Sequence, residues 1–262
     1  MFRNLFNKNE EKPLELPQDW VFYLCRVEDK PASIRINLAL GQIAPIQNYD
    51  KRIWFSVKLK DPDENGFTSR EEFSKICEIE DTIIDVLTPK GCIMVGALKT
   101  DGTFDLYLYA KNTDGYDEII KNVMIKNHQE YQYAFDFKED KEWNDYFNFL
   151  YPNEYEYQSI QNHKILIQLD KHQDNPEMER EIDHWLYFDS EGNREKCIAE
   201  VQQIGYKILS KDKQTKDAEK PYQLNISRMN NTIDVDSYVW ELIQIGKKYN
   251  ADYDGWGCPI AK

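Results

Sequence analysis

Asp61, Asp63, Asn65, Gly66 and Glu72 stand at the spacing D-x-D-x-N-G-x5-E. That series sets oxygen donors around a glycine turn and ends on a carboxylate able to bind with both oxygens, which suits calcium. Three features weigh against it. Pro62 and the alternation Ile53, Phe55, Val57, Leu59 put a strand where such a loop needs a helix. The eighth position is Thr68, not an aliphatic residue, and no second loop accompanies the first. The competing reading is a strand–turn–helix connection in which Thr68 and Glu71 form a capping box. No metal and no cofactor is expected.

Asp183 and His184 are adjacent, as a carboxylate and a general base would be, but neighbours on a strand point to opposite faces. One is expected inside and one outside, so they do not make a dyad. A nucleophile pair of Cys258 with His184 lacks an orienting third group, and His128, His163 and His172 have no metal-ligand spacing. No nucleophile elbow, zinc-protease helix, phosphate loop or dinucleotide fingerprint occurs. The remaining constellation is Asp254-Gly255-Trp256-Gly257. Two glycines around a Trp permit close backbone approach, so the ring could sit at a sheet edge and meet a partner. Alternatively the ring packs back onto its own domain. The candidate partner-binding residues are therefore Asp183, His184, Tyr253, Asp254 and Trp256, and no catalytic residue is assigned.

The elements that must position these residues follow from periodicity. Residues 1–16 read as a flexible arm. Over 17–140, alternation marks half-buried strands at Trp20–Arg26, Ser33–Leu40 and Ile53–Leu59. A helix is predicted from Thr68 to Leu87. Two strands follow, Cys92–Ala97 and Phe104–Ala110, joined at the hairpin signal Asp101-Gly102. A short helix, Tyr116–Lys126, and a strand, Tyr131–Phe137, complete this α+β domain. Residues 141–177 read as a helical connector. From 178 to 262 the order is β-α-β-β-α-β. It comprises strand Asp183–Phe188, helix Glu195–Ile204 stopped by Gly205, strand Tyr206–Leu209, a charged loop Ser210–Lys220, strand Tyr222–Ile226, an amphipathic helix through Val235, Tyr238, Val239 and Leu242, and a final extended segment. Such an order predicts a ferredoxin-like sandwich, so the fold class is α+β in two domains.

Composition narrows the function classes. The 262-residue chain carries a net charge of −14, and residues 17–140 and 141–262 each hold 22 acidic against 15 basic residues. Neither half has the basic balance that phosphate neutralisation requires, so direct nucleic-acid binding is disfavoured. An acidic surface suits a basic protein partner or serves solubility alone. The five cysteines are scattered without a C-x-x-C pair, as expected of reduced thiols in a cytoplasmic protein. No signal peptide or membrane span is read, and no membrane association is expected.

Three stretches carry a resemblance. Asp183-His184-Trp185-Leu186-Tyr187-Phe188, Ile204-Gly205-Tyr206 and Tyr253-Asp254-Gly255-Trp256-Gly257 together resemble the bacterial family of the regulator of ribonuclease E activity B, over roughly residues 178–262. Trp20-Val21-Phe22-Tyr23, Arg35-Ile36-Asn37-Leu38, Asn65-Gly66 with Glu71-Glu72, and Val95-Gly96 with Asp101-Gly102 are similar to the domain of unknown function 695 family. The resemblance implies a non-enzymatic regulator that binds and inhibits an endoribonuclease. The alternative is a small-molecule-binding or enzymatic module with its ligand in the crevice between domains.

Overall fold

The computed structural model describes residues 15–214 and 218–262, and the chain divides into two compact units, Met1–Pro152 and Asn153–Lys262. Of the arm expected over residues 1–16, all but Glu15 and Leu16 lies outside the described residues.

The first unit runs β1 (Trp20–Val27), β2 (Lys30–Asn37), β3 (Lys51–Lys58), α1 (Phe73–Leu87), β4 (Ile93–Thr100), β5 (Thr103–Ala110), α2 (Tyr116–Asn127) and β6 (Tyr133–Glu139). Its sheet has the order β1-β2-β4-β5-β3-β6, antiparallel throughout. Ile53, Phe55 and Val57 of β3 and Leu106 and Leu108 of β5 meet Ile76, Ile79 and Ile83 of α1 and Ile120 and Met124 of α2 in one core. The period-2 pattern puts those strand residues on one face, and the helical spacing gives each helix one matching stripe. Asp101 and Gly102 both have positive φ, +45° and +76°. This is the backbone that a two-residue hairpin favours, because it matches the right-handed strand twist.

The opposite face is closed by an aromatic strap. Trp143 stacks on Tyr109 with ring centroids 4.1 Å apart, and its Nε1 donates to the Tyr49 carbonyl at 2.7 Å. Tyr109 donates to Asp140 at 2.6 Å. A π-helical turn, Asp145–Leu150, carries Tyr146, whose hydroxyl donates to the Asn37 carbonyl at 2.8 Å. The turn belongs to the first unit, whereas the long helix that follows it belongs to the second. Large buried rings with every polar tip paired make this strap a fixed layer.

Two expected boundaries move. The strand expected over Ser33–Leu40 ends at Asn37, and Leu38–Gln42 is a 3-10 turn. The helix expected from Thr68 begins at Phe73, with no side-chain cap at Glu72. Thr68 instead forms an isolated β-bridge with Pro62 five residues before the helix, and it is the Ser69 hydroxyl that accepts the Glu72 N–H, at 3.3 Å.

The second unit runs α3 (Glu154–Lys171), β7 (Arg180–Phe188), α4 (Glu191–Gln203), β8 (Lys207–Lys213), β9 (Tyr222–Asn230), α5 (Val235–Lys248) and β10 (Ala251–Gly257). The sheet order β10-β7-β9-β8, antiparallel throughout, is the ferredoxin-like arrangement anticipated from the element order. Leu186, Phe188, Leu224 and Ile226 bury one sheet face against Cys197 and Val201 of α4 and Leu242 of α5. Gly205, at φ +93°, ends α4, where the N–H of Tyr206 returns to the Val201 carbonyl at 3.0 Å. The charged loop expected over Ser210–Lys220 is partly strand, because β8 pairs with β9 out to Lys213 opposite Tyr222; residues 215–217 lie outside the described residues.

Helix α3 opens with a capping box of Asn153 and Glu156 and packs on α5. Beyond it, Asp174 holds Arg180 at 2.7 Å, with both side chains at most 5% exposed, and also accepts the N–H of Ala261 at 2.8 Å. One buried ion pair thus ties the chain's last residues to the start of β7. Among the described residues, no helix is long and apolar enough to cross a membrane.

Candidate functional site

The loop with the calcium-like spacing uses its oxygens on its own backbone. Glu72 is buried and accepts from the N–H groups of Lys60 at 2.9 Å and Asp61 at 3.1 Å. Asp63 accepts from Asn65 at 2.9 Å and Phe67 at 2.8 Å, an Asx turn. These carboxylates tie a loop end to the end of β3 and do not converge on a common point.

In the second unit, strand alternation sorts the candidate residues. His184 faces the helices and is fully buried, while Asp183 faces the other side and is half-buried. His184 lies among three rings, those of Tyr206, Tyr238 and Tyr253, with centroids 5.7, 5.7 and 6.0 Å away. Its Nδ1 is 2.8 Å from the Tyr253 hydroxyl, and its Nε2 has no protein partner among the described residues. Burial, with the Arg228 guanidinium nearby, pushes the imidazole down to about 3, because an imidazolium there would bury an unpaired N–H and a charge. Burial likewise raises the three tyrosine hydroxyls and the Cys258 thiol. His184 is a neutral core residue, so it serves as no exposed base, and Cys258 is no thiolate at neutral pH.

Trp256 is also interior, at 5% exposure. Its Nε1 donates to Asn162 Oδ1 at 2.9 Å, and Asn162 in turn donates to Asp236 of α5 at 2.6 Å. The register explains the placement. Tyr253 lies opposite Leu186, but a bulge between Tyr253 and Gly255 puts Gly255 opposite Trp185 and Trp256 opposite His184. One extra residue in the strand reverses the alternation, and Trp256 turns toward the helices. Gly255, at φ +130°, adopts the conformation that the bulge demands.

The same bulge leaves Asp254 exposed and puts a glycine beside Trp185. A Cβ at Gly255 would meet nothing within 4 Å, and a Cβ at Gly257 would lie in ordinary contact with the Trp185 ring, at 3.6 Å. A groove of about 560 Å³ therefore crosses the β10 edge, lined by Trp185, Asp254, Gly255 and the edge of Trp256 and by residues of α3 that include Gln161 and Lys164. Neither α4 nor α5 packs on the sheet face that Trp185 shares with Asp183 and Tyr187. Desolvation and the charge of Glu181 hold the Asp183 carboxyl above its ordinary range. Opposite Trp185 and Asp183 on β9, Asn225 and Ser227 bury an amide oxygen and a hydroxyl without a protein partner among the described residues. Such a face offers an aromatic platform with acidic neighbours, which is what a macromolecular contact uses. Of the five sequence-derived candidates, Asp183 and Asp254 lie on this side, and His184, Tyr253 and Trp256 support it from beneath. Trp185 was missed; its signal is a Trp on the polar side of the alternation Asp183, Trp185, Tyr187.

Two family models match the chain. A family of unknown function (DUF695) covers residues 18–151, and the family described as regulator of ribonuclease activity B covers residues 159–258. No curated protein matches. Among solved structures, an unknown protein from Galdieria sulphuraria is 10% identical with a TM-score of 0.24, covering 80% of this chain and 99% of its own. A putative glycine cleavage system transcriptional repressor is 10% identical with a TM-score of 0.25, covering 80% and 98%.

Proposed function

The chain belongs to the family of unknown function that spans its first half, and with a ribonuclease-regulator domain as its second half we propose that it is a non-catalytic inhibitor that binds an endoribonuclease through the open face of its second sheet. The observation that carries the reading is the Trp185–Asp254 groove, an exposed edge feature floored by an aromatic ring. The ionisable groups that could do chemistry, His184 with Tyr206 and Tyr238, are buried beneath it. An acidic face steers a basic segment of a partner toward Trp185, and the ring supplies the contact area. The test is an RNA-cleavage assay with the endoribonuclease of the same cell. Adding the full chain slows cleavage, and Trp185→Ala restores the rate while its circular dichroism stays that of the wild type. Unchanged cleavage with the wild-type chain, or equal inhibition by the variant, overturns the proposal.

A further inference from the structure

Arg180 is a buried clamp in the second unit. It pairs with Asp174 at 2.7 Å and donates to the Asn175 carbonyl at 3.3 Å and to the Thr232 hydroxyl at 3.1 Å. The Thr232 N–H meets the Pro176 carbonyl at 3.1 Å, and the Asn175 N–H meets the Ala261 carbonyl at 2.8 Å. Three segments, those before β7, before α5 and after β10, are thereby joined into one corner, which a buried and hydrogen-bonded network holds rigid.

Each of these segments carries an exposed apolar side chain: Met178, Ile233 and Ile260 are 41%, 63% and 47% exposed. One such residue means little, but three gathered on a rigid corner with a polar rim mark a contact surface. The rim is acidic. Beside the corner lies a hollow of about 460 Å³, lined by Glu179, the neighbour of Met178, by Asp234, the neighbour of Ile233, and by Glu241. Its basic residue, Arg228, is taken up by Glu241 at 3.2 Å and lies over the Tyr206 ring, 4.3 Å from the centroid. Three carboxylates against one guanidinium make the hollow attractive to a further cation.

We propose that this corner is a second docking surface, for a protein segment that carries a basic side chain next to an apolar one. The basic group enters the hollow between Glu179 and Asp234, and the apolar side chain lies on Met178, Ile233 and Ile260. Charge complementarity selects the segment, and the apolar trio supplies the contact area. The corner shares no lining residue with the Trp185 groove, so the proposal stands apart from the inhibitor reading.

The experiment selects a random-peptide phage library on the immobilised full chain and measures the enriched peptides by fluorescence polarisation. The enriched sequences place Arg or Lys within a few residues of an apolar side chain. Ile233→Lys, and separately Glu179→Gln made together with Asp234→Asn, weaken their binding at least about tenfold with unchanged circular dichroism. Ile125→Lys, on α2 of the first unit and also exposed, leaves it unchanged. No enrichment, enriched peptides without a basic residue, or binding that survives both changes at the corner overturns the proposal. So does a full chain that doubles its mass in light scattering and returns to single-chain mass with Ile233→Lys, because the corner then serves a second copy.

Discussion

His184 gives the second unit an acid sensitivity with a defined window. In the fold its imidazole titrates at about 3, whereas an unfolded histidine titrates near 6.5. Between those values the unfolded chain binds a proton that the native chain refuses, so stability falls as the pH falls. The charged group facing the ring is Arg228, itself paired with Glu241 at 3.2 Å, and the surrounding groups are the three neutral tyrosines. Among the described residues no carboxylate stands against His184 to stabilise its charged form. Each pH unit below 6.5 removes about 1.4 kcal/mol, so about 2 kcal/mol is lost by pH 5. The assay is urea unfolding followed by tryptophan fluorescence at pH 7 and pH 5, for the wild type and for His184→Gln. The variant has no titrating group at the site, and every other acid-sensitive group is common to both proteins. The wild type should lose about 2 kcal/mol more than the variant between the two pH values. Parallel losses would refute the reasoning, whatever the variant's absolute stability.

Two further substitutions test the packing beneath the face. Trp256→Ala removes a ring 5% exposed and its bond to Asn162; we expect about 3–5 kcal/mol of destabilisation by the same urea measurement. Asp174→Ala strands the buried Arg180 and frees the Ala261 N–H. The expected loss is about 3–5 kcal/mol, with faster hydrogen exchange at the end of the chain.

Most of the second unit was legible in its sequence because its strands keep one face dry. Asp183–Phe188 alternates cleanly, α5 repeats at helical spacing, and Gly205 marks a true stop, so the element order and sheet class follow. Asp183 and His184 pointing to opposite sides followed from the same alternation. Trp256 could not be placed that way. Counting in twos from Tyr253 sends Trp256 to the open face, and only the bulge at Asp254 reverses it. Gly255 signals that some irregularity is possible, yet a glycine between two polar or aromatic residues does not say on which side the extra residue falls. Thr68 failed for a related reason. T-x-x-E is a four-residue pattern, and the bridge from Thr68 back to Pro62 together with the bonds from Glu72 to Lys60 and Asp61 outweighs it. Contacts that close a loop, unlike periodicity, leave no mark in adjacent residues.

The central claim is that the Trp185 face meets a protein partner. Calorimetric titration of the full chain into the purified endoribonuclease tests it most directly. The account predicts saturable binding by the wild type and an affinity at least roughly 30-fold weaker for Trp185→Ala, the loss expected of a central aromatic contact. Identical affinities for the two proteins, or no binding by either, would contradict it.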